Sequence, residues 1–215
     1  VQSALLEVMQ ERQVTIGGET FKVPDPFLVM ATQNPIETEG TYPLPEAQVD
    51  RFMMKVVITY PNERDEFVIV ERVSMGLASA LPVITTQQLL DLQRESEKVY
   101  VDPALIEYAV RLATATREPG KFDMGDIAKY ILYGASPRAS INLIITARAL
   151  AFVRGRSYVL PQDIQDMALD VMRHRFVLSY EAMSDGVNSD ALLRRILEHI
   201  PAPVQPLQTH VLVTA

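Results

Sequence analysis

The chain has 215 residues, 48% of them hydrophobic and 22% charged, a balance that suits a globular protein with ample material for a core. A net charge of −7 argues against a general polyanion binder and leaves room for a local basic patch only. The absence of cysteine excludes disulfides and thiolate metal sites and is compatible with a reducing compartment, and no apolar run nears the ~18 residues of a membrane span.

In chain order, "VQSALLEVMQER" places Val1, Leu5, Val8 and Met9 on one helical face with no capping residue before Val1, as expected of a fragment that opens inside an element. "QVTIGGETFKV" alternates around Gly17-Gly18 and predicts a hairpin, because paired glycines supply the positive φ of a tight turn. Phe27 to Ala31 is continuously apolar, as in a strand buried on both faces, and stops at a polar corner of Thr32, Gln33, Asn34 and Pro35. "MKVVITY" (54–60) reads as a second buried strand. Asn62 can cap a helix through about Met75, ended by Gly76, with a linker at 76–86.

Helices follow. Thr86 opens one to about Lys98; Asp102-Pro103 is an N-cap followed by Pro at the first helical position, leading to about Thr116. "REPGKFDMG" (117–125) reads as a loop. Ser136 as N-cap and Pro137 as first helical residue open a long amphipathic helix to about Arg154, ended by Gly155. Pro161 starts another through Arg175, and a last one runs from Ser189 to about Ile200, before Pro201. The order suggests part of an α/β domain over 1–75, the linker, an all-α domain over 87–200 and an unassigned tail over 201–215.

Three places could carry chemistry. In open parallel sheets ligands gather beyond the carboxyl ends of the strands, and Asn34 lies three residues past its apolar run, where its amide could donate to a phosphate oxygen or orient a water; equally, Asn-Pro could simply start a turn. Arg51, at the start of the 54–60 strand, reads either as a local ion pair with Asp50 or Glu46 or as an arginine projecting towards a neighbouring subunit's phosphate. Arg138 falls in the first turn of a helix, where free N–H groups and the dipole already favour an anion; a guanidinium there repels the helix end unless an anion sits between them. His174, His199 and His210 lack metal-ligand spacing, and no G-x-x-x-x-G-K-[ST] or apolar strand ending in Asp-Glu occurs.

Taken in order, "LLEVMQERQVTIGGETFKVPDPFLVMATQNPIETEGTYPLPEAQVDRF" closely resembles the MoxR family of AAA+ ATPases, and "GASPRASINLIITARALAFVRGRSYVLPQDI" with "VMRHRFVLSYEA" is similar to that family's helical lid. The resemblance covers about residues 1–200 and implies a fold class of α/β plus all-α. Its parts are a partial P-loop-type parallel sheet, a β-hairpin (13–23) inserted before sensor 1, and a helical lid domain. It implies that Asn34 in "ATQNP" is sensor 1, orienting the attacking water, that Arg51 in "DRF" is the arginine finger, and that Arg138 in "GASPRA" is sensor 2. The implied cofactors are ATP and Mg²⁺, with the phosphate-gripping Lys and the metal ligands expected upstream of Val1, so that the fragment alone is expected to be inactive. The implied setting is a cytoplasmic homo-oligomeric ring, hexameric by analogy, that remodels or matures client protein complexes, with a von Willebrand factor A-domain protein as one client. Two alternatives stand beside it. One is a nucleic-acid translocating ATPase of the same group, which the hairpin tip of Gly17, Gly18 and Glu19, with only Lys22 nearby, disfavours. The other is a non-catalytic helical binding module, which has no need of Asn34, Arg51 and Arg138 together.

Overall fold

The computed structural model describes residues 8, 9, 11–33, 44–76 and 79–204. Strands β1 (Gln13–Ile16) and β2 (Glu19–Lys22) form the expected antiparallel hairpin, with Gln13 opposite Lys22 and Ile16 opposite Glu19. Gly17 (φ 62°) and Gly18 (φ 89°) are both left-handed, the geometry a two-residue hairpin turn requires. Helix α1 (Glu46–Val49) is a single turn, followed by α2 (Glu63–Ser74) and α3 (Thr86–Glu97). After α4 (Pro103–Arg117), two 3₁₀ segments (Pro119–Phe122 and Gly125–Tyr130) lead into β3 (Ile131–Tyr133). The remaining elements are α5 (Arg138–Val153), α6 (Pro161–Met172), β4 (Val177–Leu178), α7 (Tyr180–Ser184) and α8 (Ser189–His199).

The hydrophobic core lies between Val99 and Ile200. Leu105, Tyr108 and Leu112 of α4 meet Leu143 of α5, Ile164 of α6 and Leu193 and Ile196 of α8, all of them buried. Helix α5 packs against both α4 and α6, and α8 closes over α6. Strands β3 and β4 pair antiparallel at the edge of this bundle, and an isolated parallel bridge joins Tyr100 to Tyr158.

The two expected buried strands are a correction. Residues 27–31 and 54–60 carry no strand assignment, and Leu28, Met30, Ile58 and Tyr60 are 77%, 84%, 85% and 93% exposed. A strand buried on both faces needs neighbours to complete its ladder and cover its faces, and the described residues form only the two-stranded sheets β1–β2 and β3–β4. No parallel sheet occurs among the described residues. The expected loop at 117–125 is instead largely 3₁₀, with Asp123 left-handed at φ 54°. The helix expected to run to Arg175 stops at Met172, which releases the next three side chains for other work. The first helix is described only at Val8, Met9 and Glu11, and Asn34 and the tail beyond Val204 lie outside the described residues.

Candidate functional site

A single carboxylate organises the junction between the N-terminal segment and the bundle. Residues 50–53 leave α1 through a turn, with the Arg51 amide donating to Gln48 O (3.1 Å) and the Phe52 amide to Val49 O (3.1 Å). The Asp50 side chain is 14% exposed and accepts from three directions. Ser136 Oγ lies 3.0 and 2.9 Å from Oδ1 and Oδ2, Arg138 Nη1 donates to Oδ2 at 3.0 Å, and Arg175 Nη1 donates to Oδ1 at 2.9 Å.

The Ser136–Arg138 side of this cluster is built by the loop that enters α5. Gly134 lets that loop graze α4: a Cβ there would fall 2.6 Å from Arg117 Cα. The Ala135 amide donates to Thr116 Oγ1 (2.9 Å), and Arg117 Nη1 to Ala135 O (3.3 Å). Helix α5 begins at Arg138, one residue later than expected, with Pro137 itself helical in φ and ψ. The N-cap is therefore Pro137, not the expected Ser136, although Ser136 Oγ still accepts from the Arg138 amide at 3.2 Å while donating to Asp50. The anion that first-turn physics requires beside Arg138 is therefore present, and it is Asp50.

Arg175 completes the cluster from the end of α6. Its side chain is fully buried, and burial pushes its pKa down, the nearby Arg138 charge adding to that push while Asp50 opposes it. His174 beside it is also buried; burial, with the charges of Arg175 and Lys55, holds its pKa down at about 4, against the opposing hydrogen bond at Phe52 and charge of Asp50. It is thus neutral at pH 7, and since a carbonyl can only accept, Nε2 carries the proton it donates to Phe52 O at 3.1 Å. Nδ1 has no partner, as fits the unprotonated nitrogen of that tautomer.

Arg51 forms no ion pair with Asp50 or Glu46. It is half-buried, and its Nε and Nη1 are shielded from solvent without a hydrogen-bond acceptor. Unmet buried donors of a cation are costly, and they suit an anionic oxygen brought from elsewhere. Arg138 pairs with Asp50, which precedes Arg51 in the chain, and the Arg51 head itself makes no bond to that carboxylate; the position of Asn34 falls outside the described residues. Sequence reasoning named Asp50 only as a possible partner of Arg51 and His174 only as lacking metal-ligand spacing, and it missed Arg173 and Arg175. The signal was a run of three hydrogen-bonding side chains leading into buried Phe176, where a charge needs acceptors close by.

The orphaned donors of Arg51 suit an anionic oxygen such as that of a nucleotide phosphate, whereas in the first turn of α5 the Arg138 and Ala139 amides already donate to Ser136 and the Arg138 guanidinium to Asp50. Among the described residues no group of three or more His, Asp or Glu side chains is placed to hold a metal ion. No helix among them is long and apolar enough to cross a membrane.

Residues 1–54 match the ATPase family associated with various cellular activities (AAA), and residues 126–196 match the AAA lid domain. The chaperone MoxR1 of Mycobacterium tuberculosis is 50% identical over 203 residues, covering 94% of this chain and 54% of that protein. The YeaC protein of Bacillus subtilis is 42% identical over 206 residues, covering 95% of this chain and 62% of YeaC. A crystal structure from Cytophaga hutchinsonii, with a provisional ATPase label, superposes with a TM-score of 0.90 at 46% identity, over 94% of this chain and 62% of that one. The chain therefore spans between about half and two thirds of the length of the relatives it matches. With "DRF" and "GASPRA" meeting at one carboxylate and relatives of this similarity across 94% of its length, the chain belongs to the MoxR family of AAA+ ATPases.

Proposed function

We propose that this chain forms part of a MoxR-type ATPase in which a homo-oligomeric ring couples ATP hydrolysis to the remodelling or maturation of client protein complexes. In that reading residues 87–200 act as the lid on a nucleotide held by the core. The single observation that carries the reading is the state of Arg51, whose Nε and Nη1 are buried and unmet, on the residue that follows Asp50, the partner of Arg138. Arg51 reaches the phosphates of a neighbouring subunit's ATP and stabilises the charge that develops on the transferred group. Arg138, on the first turn of α5, binds the phosphates in its own subunit and relates lid angle to nucleotide state. Asn34 orients the attacking water. Mg²⁺, whose main ligands the family resemblance puts upstream of Val1, would neutralise phosphate charge when bound. A six-membered ring in the cytoplasm and a client carrying a von Willebrand factor A domain belong to the same reading. Nothing at the hairpin favours nucleic acid: its tip lacks Lys and Arg, and Arg12 at its base is paired with Asp25 at 3.2 Å.

The test is trans-complementation in the longer protein that carries the P-loop. Arg51→Ala is expected to lower turnover by about 10³–10⁵, or on the order of 4–7 kcal/mol of barrier. Adding subunits that keep Arg51 but have lost the P-loop lysine is expected to restore part of it. No restoration in co-assembled rings overturns the trans role. The 215-residue chain alone is expected neither to hold ATP tightly nor to turn it over; steady phosphate release by the purified chain contradicts this.

A further inference from the structure

Arg175 is not among the residues read as touching nucleotide, yet it is the most heavily bonded side chain at the junction. A guanidinium has five N–H groups. Here Nε donates to Val171 O (2.6 Å), Nη1 to Asp50 O (2.6 Å) and Asp50 Oδ1 (2.9 Å), and Nη2 to Phe52 O (2.5 Å) and Met53 O (3.1 Å). Four of these bonds fall on residues 50, 52 and 53, and none falls on Arg51 between them. The two residues before Arg175 act on the same segment. His174 Nε2 donates to Phe52 O at 3.1 Å, and Arg173 Nη1 to Lys55 O at 2.7 Å, while the Lys55 amide returns a bond to Asp170 O at 2.7 Å.

Burying a guanidinium is costly unless its donors are met, and an apolar side chain of similar volume commonly serves stability as well. The arrangement instead fixes geometry: the backbone on either side of residue 51 is pinned to the end of α6, and the Arg51 head is left unbonded at Nε and Nη1. An arginine that must meet a phosphate across a subunit boundary gains from being held in place beforehand, because the ordering cost is then not charged against the encounter.

We propose that Arg175, assisted by Arg173 and His174, is a positioning residue that holds Arg51 in register for a neighbouring subunit's phosphate; this rests on the reading of Arg51 given above. The side chain acts through the 50–53 backbone and touches no reacting atom. Lysine retains the charge but has one nitrogen, and cannot span the carbonyls of Asp50, Phe52 and Met53 together.

The experiment uses mixed rings of the longer protein and amide exchange on the 215-residue chain. Arg51→Ala subunits with an intact nucleotide site are combined with donor subunits that lack the P-loop lysine and keep Arg51. A donor that also carries Arg175→Lys is expected to co-assemble but to rescue kcat on the order of 10²-fold less well, with KM for ATP unchanged. In the 215-residue chain, Arg175→Lys is expected to speed exchange of the Arg51, Phe52 and Lys55 amides while those of α4 and α5 stay protected. Arg156→Lys, which loosens another largely buried ion pair, that of Arg156 with Asp163, far from residues 50–55 in its bonding, should lower the melting temperature yet leave donor rescue intact. Full rescue by a co-assembled Arg175→Lys donor, or unchanged exchange at 51, 52 and 55, overturns the proposal. If the donor with Arg175 intact does not rescue, the reading of Arg51 falls and this proposal with it. Should Arg175→Lys not fold, His174→Phe, which removes one donor to Phe52 O and keeps an aromatic ring, takes its place with the same opposed outcomes.

Discussion

His174 illustrates how one buried side chain ties stability to pH. Its pKa of about 4 in the folded chain lies below the ordinary value of 6.5, so between these values the unfolded chain binds the proton more readily. The stabilisation is fully present above about pH 6.5 and is lost as the pH falls towards 4, by up to about 3 kcal/mol from this group alone. Melting temperatures followed from pH 7 to 4 should fall less steeply in His174→Phe than in the parent chain. Equal slopes would mean that the ring is not the group responsible. Arg51 works in the opposite sense at this scale: its unmet donors cost stability locally, and the return appears only when an anion arrives.

At the scale of elements, the start of α6 rests on a buried ion cluster. Asp163 is fully buried, accepts from the Leu160 amide at 2.8 Å, and pairs with Arg156 Nη2 at 2.5 Å and Arg154 Nη1 at 2.9 Å. Burial alone pushes its carboxyl up, but the hydrogen bonds from Arg156, the Leu160 amide and Arg154 outweigh it and hold the carboxyl below the usual range. Its contribution is therefore present above the ordinary carboxylate pKa and lost as the pH drops through the lowered one. Asp163→Ala removes the cap and leaves Arg156 without its carboxylate, while Arg154 keeps Asp166, for an expected loss of about 3 kcal/mol in urea denaturation, with α6 as the first element to lose exchange protection. The helices were legible from sequence because their starting signals are local. Asn62, Asp102 and Asn188 cap from within two or three residues of the amides they accept, and Thr85, one residue before the predicted start, does the same for α3. The two apolar runs misled because strand burial depends on neighbours far along the chain. Strands β3 and β4, three and two residues long, were too short to leave a periodic trace. The candidate site was half legible for the same reason. Arg51 and Arg138 sit in recognisable segments, but Asp50 and Arg175 meet across 125 residues, a separation that no spacing rule reaches.

At the scale of the whole molecule, burial is uneven. The core lies between Val99 and Ile200, while Val57, Ile58, Phe67, Val70 and Val73 each stand more than half exposed. Apolar patches of this kind commonly mark surfaces that are covered when the partner is in place. The folded 215-residue chain is therefore expected to bind an apolar fluorescent dye well below its melting temperature, and Ile58→Lys with Phe67→Lys to reduce that emission without lowering the melting temperature. Emission that appears only on unfolding would mean that these side chains are covered in solution.

Asp50 also acts as an internal counterion. Its carboxylate balances Arg138 on one side and Arg175 on the other, with the hydroxyl of Ser136 bridging both oxygens. An incoming phosphate that draws Arg138 away competes with a carboxylate already in residence, and because Arg175 and Ser136 keep hold of it, the displaced group stays within reach. Occupancy at Arg138 is then an exchange between two anions rather than the filling of a vacancy. On the reading of Arg138 proposed above, anion exchange of this kind would weaken the apparent affinity for nucleotide.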